Sequence, residues 1–311
     1  MKLLLVTDGS EGARLAPDFL RAFPLHPGCE LTIMTVIDKA LYGTDDEESS
    51  LDEEQRDALH KTREMLREDA EHLLEAEIER FGNPELKWSK RVSYGQPADE
   101  IVKTAGELGI DLVVMGNHGL GGVKRFLLGS TSDEVMQYAP CSVLIVRPDQ
   151  TGETDDAMLL EHPLHLLVSY DDSPHARRAA EFCASLPMEE DTRITALSVM
   201  PLVTHYRQDI SQQLGWMWQE RRKVIEKGLD ALASEIDWPT PNVAVEVREG
   251  EDVSAAILDA SDELDIDMIV IGDKGTGAIK KFLLGSVTRR IAHHAPCSVL
   301  VVRQQARSKA S

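Results

Sequence analysis

The sequence has no apolar run approaching the ~20 residues that a membrane-crossing helix needs. Its longest runs, Leu3–Val6 and Val143–Val146, are strand-sized. The apolar start reaches Asp8 and Gly9 too soon to form the core of a signal peptide, so it reads as a first buried strand of a cytoplasmic protein. Basic residues are scarce, at 33 Lys and Arg against 54 Asp and Glu, for a formal charge of −21. No net positive field exists to neutralise a phosphate backbone, which argues against nucleic acid as a partner. The cysteines Cys29, Cys141, Cys183 and Cys297 form no close pair and no zinc spacing, and read as small buried hydrophobes. There is no G-x-x-x-x-G-K-[ST] loop, and no G-x-G-x-x-G follows the first strand, which excludes the two commonest phosphate-binding fingerprints.

What the sequence does have is an internal repeat. Residues 116–147 align with 272–303 without a gap, with about half of the positions identical. Leu3 to Ser10 likewise aligns with Leu166 to Ser173. Two stretches recurring in the same order at opposite ends of each half describe a duplicated domain. The 311 residues therefore divide into domains at 1–148 and 163–304, with a polar linker at 149–162 and a tail at 305–311. The acidity runs through both halves. It fits solvated acidic faces, and also a saline cytoplasm whose ions screen self-repulsion.

In the first half, strands are expected near 2–6, 30–37, 86–92, 111–115 and 142–146. Helices are expected at 10–23, 52–80, 97–108 and 130–137, the long one turning Leu59, Leu66, Leu73 and Ile78 to one side. The second half repeats the order, with strands near 164–169, 193–199, 243–247, 267–271 and 298–302. Apolar strands alternating with helices imply α/β architecture: two tandem doubly wound, Rossmann-like domains, each a five-stranded parallel sheet flanked by helices. Ligands of such sheets bind beyond the carboxyl ends of the strands. Trp216 and Trp218 read as core or interface residues, and Asp45–Glu54 as an acidic loop.

The stretch after each fourth strand carries the chemistry. Gly116, Gly119, Gly129 and Ser130 recur at the same spacing as Gly272, Gly275, Gly285 and Ser286. Glycine there permits tight turning and close approach to a ligand. The Gly-Ser pair precedes a helix whose first N–H groups and dipole favour an anion. Lys124, Arg125, Lys280 and Lys281 lie nearby, as phosphate partners or as a solvated face.

With an aspartate after the first strand (Asp8 in D-G-S; Asp171 in the second copy), this spacing resembles the universal stress protein family, over nearly the whole chain. The resemblance implies the ATP-binding branch and an adenine nucleotide alpha hydrolase-like fold. It implies that Asp8 and Asp171 contact the adenosine end and that Val36 and Val199 meet adenine through backbone atoms. The eight loop residues named above would wrap ribose and phosphates of ATP, ADP or AMP. It also implies pairing through the fifth strands, which a tandem chain can do internally; further association into a homodimer stays open. Two departures fall in the second copy: Asp172 replaces Gly9, and Asp273 puts a carboxylate into the glycine loop. Both favour the first copy as the stronger site.

Three functions are compatible with these residues. A nucleotide-binding regulatory module for a stress response, acting on a protein partner, requires no general base. A slow ATPase or phosphotransferase requires one, and a divalent ion such as Mg2+. A scaffold would use no nucleotide at all.

Overall fold

The computed structural model describes residues 1–21, 23–25, 28–42, 51–83, 86–118, 128–148, 162–202, 208–275 and 284–304. They form two compact units, one of residues 1–21 and 25–146 and the other of residues 147–304. The expected linker core, the tail, Gly119 and the four loop cations lie outside the described residues.

The first unit runs β1 (Lys2–Val6), α1 (Glu11–Leu20), β2 (Glu30–Asp38), α2 (Lys39–Tyr42), α3 (Glu53–Phe81), β3 (Lys87–Gly95), α4 (Pro97–Leu108), β4 (Leu112–Gly116), α5 (Ser130–Tyr138) and β5 (Ser142–Val146). Its strands lie parallel in the order β3-β2-β1-β4-β5. The chain steps from β1 to β3 in one direction and then crosses to β4 on the far side of β1. The carboxyl ends of β1 and β4 therefore flank the crevice where a doubly wound sheet receives ligands.

Every residue of β4 and β5 is buried, as is β1 beyond Lys2. Leu4, Met34, Val113 and Val143 pack on Ile101 and Ala105 of α4 and Val135 of α5. β3 departs from the continuously apolar reading: it is a sheet edge, largely open to solvent. Lys90 on it meets Glu75 at 2.6 Å, the kind of charge that discourages edge pairing.

α3 opens with a reciprocal capping box between Asp52 and Gln55 and ends at Gly82, whose φ of 71° is left-handed. The expected apolar face is displaced. Leu59, Leu66, Leu73 and Ile78 are half-buried, and the buried stripe is Ala70, Leu74, Glu77 and Phe81. Glu77 escapes a hydrophobicity reading because it is charged; it is accommodated by Arg14 at 3.6 Å and Arg80 at 3.3 Å. The acidic loop reading ends early, because Glu53 and Glu54 already belong to α3; residues 43–50 lie outside the description.

The second unit repeats the plan: β6 (His165–Ser169), α6 (Pro174–Ala184), β7 (Arg193–Pro201), α7 (Gln208–Glu235), β8 (Val243–Gly250), α8 (Val253–Glu263), β9 (Met268–Gly272), α9 (Ser286–His294) and β10 (Ser298–Val302). The strands are again parallel, ordered β8-β7-β6-β9-β10. Leu166, Leu167, Ile269, Val270 and Val299 make its interior. Trp216 is not a core residue: it is 67% exposed. All four cysteines are buried and free, and burial pushes the thiols of Cys183 and Cys297 up to about 12, so both stay protonated and inert. No helix among the described residues is long and apolar enough to cross a membrane.

Candidate functional site

In the second unit the carboxyl ends of β6, β7 and β9 open on a cavity of about 580 Å3. Asp171, Val199, Gly272, Gly275, Gly285 and Ser286, the sequence-selected residues of this copy, all line it. The volume lies within the range of small-molecule sites.

Each residue is positioned locally. β6 runs into Tyr170, whose N–H donates to Leu197 at 2.8 Å. Asp171 follows and accepts the Ser173 N–H at 3.1 Å, while Ser173 caps α6 through Ala176 at 3.1 Å. The turn leaves the Asp171 carboxylate facing the glycine loop. A Cβ on Gly275 would stand 2.7 Å from Asp171 Oδ2, so only glycine lets loop and carboxylate approach this closely.

Gly272 has a different reason to be glycine. A Cβ there would stand 2.8 Å from the carbonyl of His175 in the first turn of α6. Gly116 of the first unit is tighter still: a Cβ there would run into the Gly12 carbonyl. These two glycines let a helix start pack against a strand end, as well as bordering the crevice.

The loop returns at Gly285, whose N–H donates to the Asp273 carbonyl at 2.8 Å. Thr288 Oγ1 donates to Gly272 O at 2.8 Å and ties the start of α9 to the end of β9. No side chain caps α9 at Gly285, whereas Ser173 and Asp252 cap α6 and α8. Ser286, Val287 and Thr288, the first residues of α9, all border the cavity. A helix start without a capping side chain offers N–H groups and the positive end of the dipole to an anion.

Lys274, a lining residue the spacing argument did not select, adds a cation at this end. Asp273 beside it departs from expectation. Its carboxylate is not in the cavity wall; it turns to His175 Nδ1 at 2.6 Å, with Lys274 Nζ at 3.9 Å from its other oxygen. The carboxylate expected to repel phosphate is thus engaged by His175 and Lys274.

The rest of the lining is more apolar. Val199 and Pro201 end β7, Val224, Ile225 and Gly228 come from α7, and Val253 and Ile257 come from α8. Tyr170 also lines the cavity; burial, then its hydrogen bond to Asp172, pushes the phenol up to about 12, so it remains a donor. Of these, only Val199 was expected, from the family resemblance, because the rest come from elements without a repeated motif.

The first unit places its residues in corresponding positions. Asp8 is exposed after β1 and accepts the Ser10 N–H at 3.0 Å, and Ser10 caps α1. Val36, half-buried near the end of β2, packs against the core cluster. Gly129 donates to Asn117 O at 2.8 Å, and Ser132 Oγ donates to Gly116 O at 2.9 Å. Ser130 begins α5, which has no capping side chain. The shared geometry is a strand-end aspartate, a glycine turn and a helix start without a cap.

The sequence profile of the universal stress protein family matches residues 1–147 and 164–303. A universal stress protein of Mycolicibacterium smegmatis is 32% identical over 197 residues, covering 62% of this chain and 61% of that protein; the chain thus spans less than two thirds of that relative. A putative universal stress protein of Staphylococcus haemolyticus is 32% identical over 155 residues, or 49% of this chain and 87% of that protein. The crystal structure of a universal stress protein from Archaeoglobus fulgidus covers 97% of this chain and 98% of its own at a TM-score of 0.56 and 23% identity, a likeness that shows the fold.

Proposed function

This chain belongs to the universal stress protein family, and from that premise we propose that it is a cytoplasmic adenine-nucleotide-binding module, taking ATP, ADP or AMP and acting on a protein partner during stress. The observation that carries the reading is the convergence of Asp171, Val199, Gly272, Gly275, Gly285 and Ser286 on one cavity beside the start of α9. The α9 end, with Ser286 Oγ and Lys274, suits phosphate, because helix N–H groups, a hydroxyl and an ammonium are all donors. The half bounded by Val199, Pro201, Ile225 and Ile257 suits an apolar ring face. Asp171, facing Gly275, suits ribose hydroxyls, which donate to a carboxylate. Mg2+ would accompany ATP as its phosphate counterion.

Regulation is favoured over hydrolysis. Asp171 is read as the partner of the ribose hydroxyls, and Asp273 is engaged by His175 at 2.6 Å. Neither is disposed as a base against a terminal phosphate.

The test is thermal unfolding of nucleotide-stripped protein with and without Mg-ATP. Ligand at a hundredfold its Kd stabilises by about 2.7 kcal/mol, so the melting temperature should rise with nucleotide concentration. Gly129→Asp and Gly285→Asp, each placing a carboxylate at a helix start, should each reduce the rise. An unchanged melting temperature at millimolar nucleotide would contradict the reading.

A further inference from the structure

Arg147 is a buried cation without a counter-charge. It opens the second unit, directly after β5 ends at Val146, and is 3% exposed. A charge in the interior is costly unless it is paired, and the usual partner of a buried guanidinium is a carboxylate. Among the described residues no carboxylate pairs with Arg147. Cys297 lies close enough to act on it, but burial keeps that thiol protonated, so no thiolate offsets the charge. Burial lowers the guanidinium to about 10, which leaves it charged at neutral pH.

What Arg147 meets is the carboxyl end of α9. Nη2 donates to Ala292 O at 2.6 Å, Nη1 donates to Ala295 O, and the backbone N–H donates to Ser298 Oγ at 3.3 Å. Ala292 stands in the last turn of α9 and Ala295 is its cap, so the fork satisfies carbonyls that the helix leaves open. Nε has no hydrogen-bond partner among the described residues. A neutral amide could serve these carbonyls without the cost of burying a charge. The charge therefore calls for a use of its own.

The other end of α9 borders the cavity. Ser286, Val287 and Thr288 line it, and no side chain caps the helix at Gly285. The helix dipole places about half a positive charge there and about half a negative charge at the carboxyl end. A guanidinium on the carboxyl end outweighs the negative pole, so the field along α9 is positive throughout. The helix has 9 residues, which separates Arg147 from the amino end by about 14 Å. At that distance, with an effective dielectric constant near 20, one charge changes the affinity of a singly charged ligand roughly sevenfold. Because the guanidinium is buried, salt screens it less than it screens a surface lysine.

We propose that Arg147 is a positioning residue for phosphate: its buried charge, acting along α9, strengthens anion binding at the second unit's cavity. The inference rests on the nucleotide reading of that cavity. An Arg147 that only held α9 in place would matter equally to every ligand of the site. One that acts through its charge distinguishes ligands by theirs.

The experiment is calorimetric titration of the full chain carrying Gly129→Asp, which leaves the second unit's site, with AMP and with adenosine at pH 8 and without magnesium. The phosphate of AMP is then doubly charged, and adenosine carries no charge. Arg147→Gln, which keeps a donor for the carbonyls and loses the charge, should weaken AMP at least about sevenfold and leave adenosine unchanged. Arg147→Met, a second neutral side chain of similar length, should do the same. Arg147→Lys, which keeps the charge and loses the fork, should retain most of the AMP affinity. Equal weakening of AMP and adenosine, unchanged AMP affinity in the neutral variants, or a lysine variant as weak as the glutamine one would overturn the proposal and leave the nucleotide site standing. Binding of neither AMP nor ATP before any change at Arg147 would overturn both.

Discussion

Gly272 tests how tightly the strand end and the helix start are packed. Gly272→Ala would press a methyl to 2.8 Å from the His175 carbonyl, a backbone contact that yields only by shifting α6. The substitution should cost about 1–3 kcal/mol of stability, as overpacking does, read from urea midpoints. His165 makes a second prediction. It is buried, with Nε2 2.9 Å from Thr195 Oγ1 and Nδ1 3.0 Å from Leu264 O. Burial, more than the nearby Arg193, holds its imidazole below the ordinary histidine value. The unfolded chain then binds this proton more readily than the folded one. The stabilisation is full above about 6.5 and is lost as pH falls through that value toward the lowered folded one. His165→Gln should flatten the loss of stability between pH 7.5 and 5.5, and an unchanged pH dependence would contradict it. At this scale the spacing of Gly116 and Gly272 was legible, but half of their reason was not. A gap count shows that a side chain is excluded, not that a helix carbonyl excludes it. Asp172 was legible only as a departure from the repeat.

Among the elements, the helix starts divide by purpose. Ser173 closes α6 with its side chain, and Ser173→Ala should cost about 1 kcal/mol without altering nucleotide affinity beyond that loss of stability, measured by urea unfolding and titration on one variant. α9 begins at a glycine without such a cap, and substitutions there should act on binding first. The strands were readable because β1, β4, β5, β6, β9 and β10 are buried on both faces and carry nearly unbroken apolar residues. The edges β3 and β8 were harder to bound, since exposure admits polar residues along their length. The long helix was found by its period, yet its buried stripe was misplaced because Glu77 lies within it, paired with arginines that only the tertiary structure supplies.

For the molecule as a whole, the charge of −21 makes self-repulsion a general opponent of the folded state. Screening shortens its reach from about 10 Å at 0.1 M salt to about 3 Å at 1 M. The melting temperature should therefore rise between those concentrations of sodium chloride, and a fall would show that attractive ion pairs dominate instead. The duplication was the most legible feature of all, and it makes the central claim measurable by counting. Isothermal titration of stripped protein with Mg-ATP asks directly whether the crevice is an adenine-nucleotide site. The account predicts saturable binding that loses part of its capacity in Gly129→Asp and in Gly285→Asp and all of it in the double variant. No heat with Mg-ATP, or binding undiminished in the double variant, would contradict it.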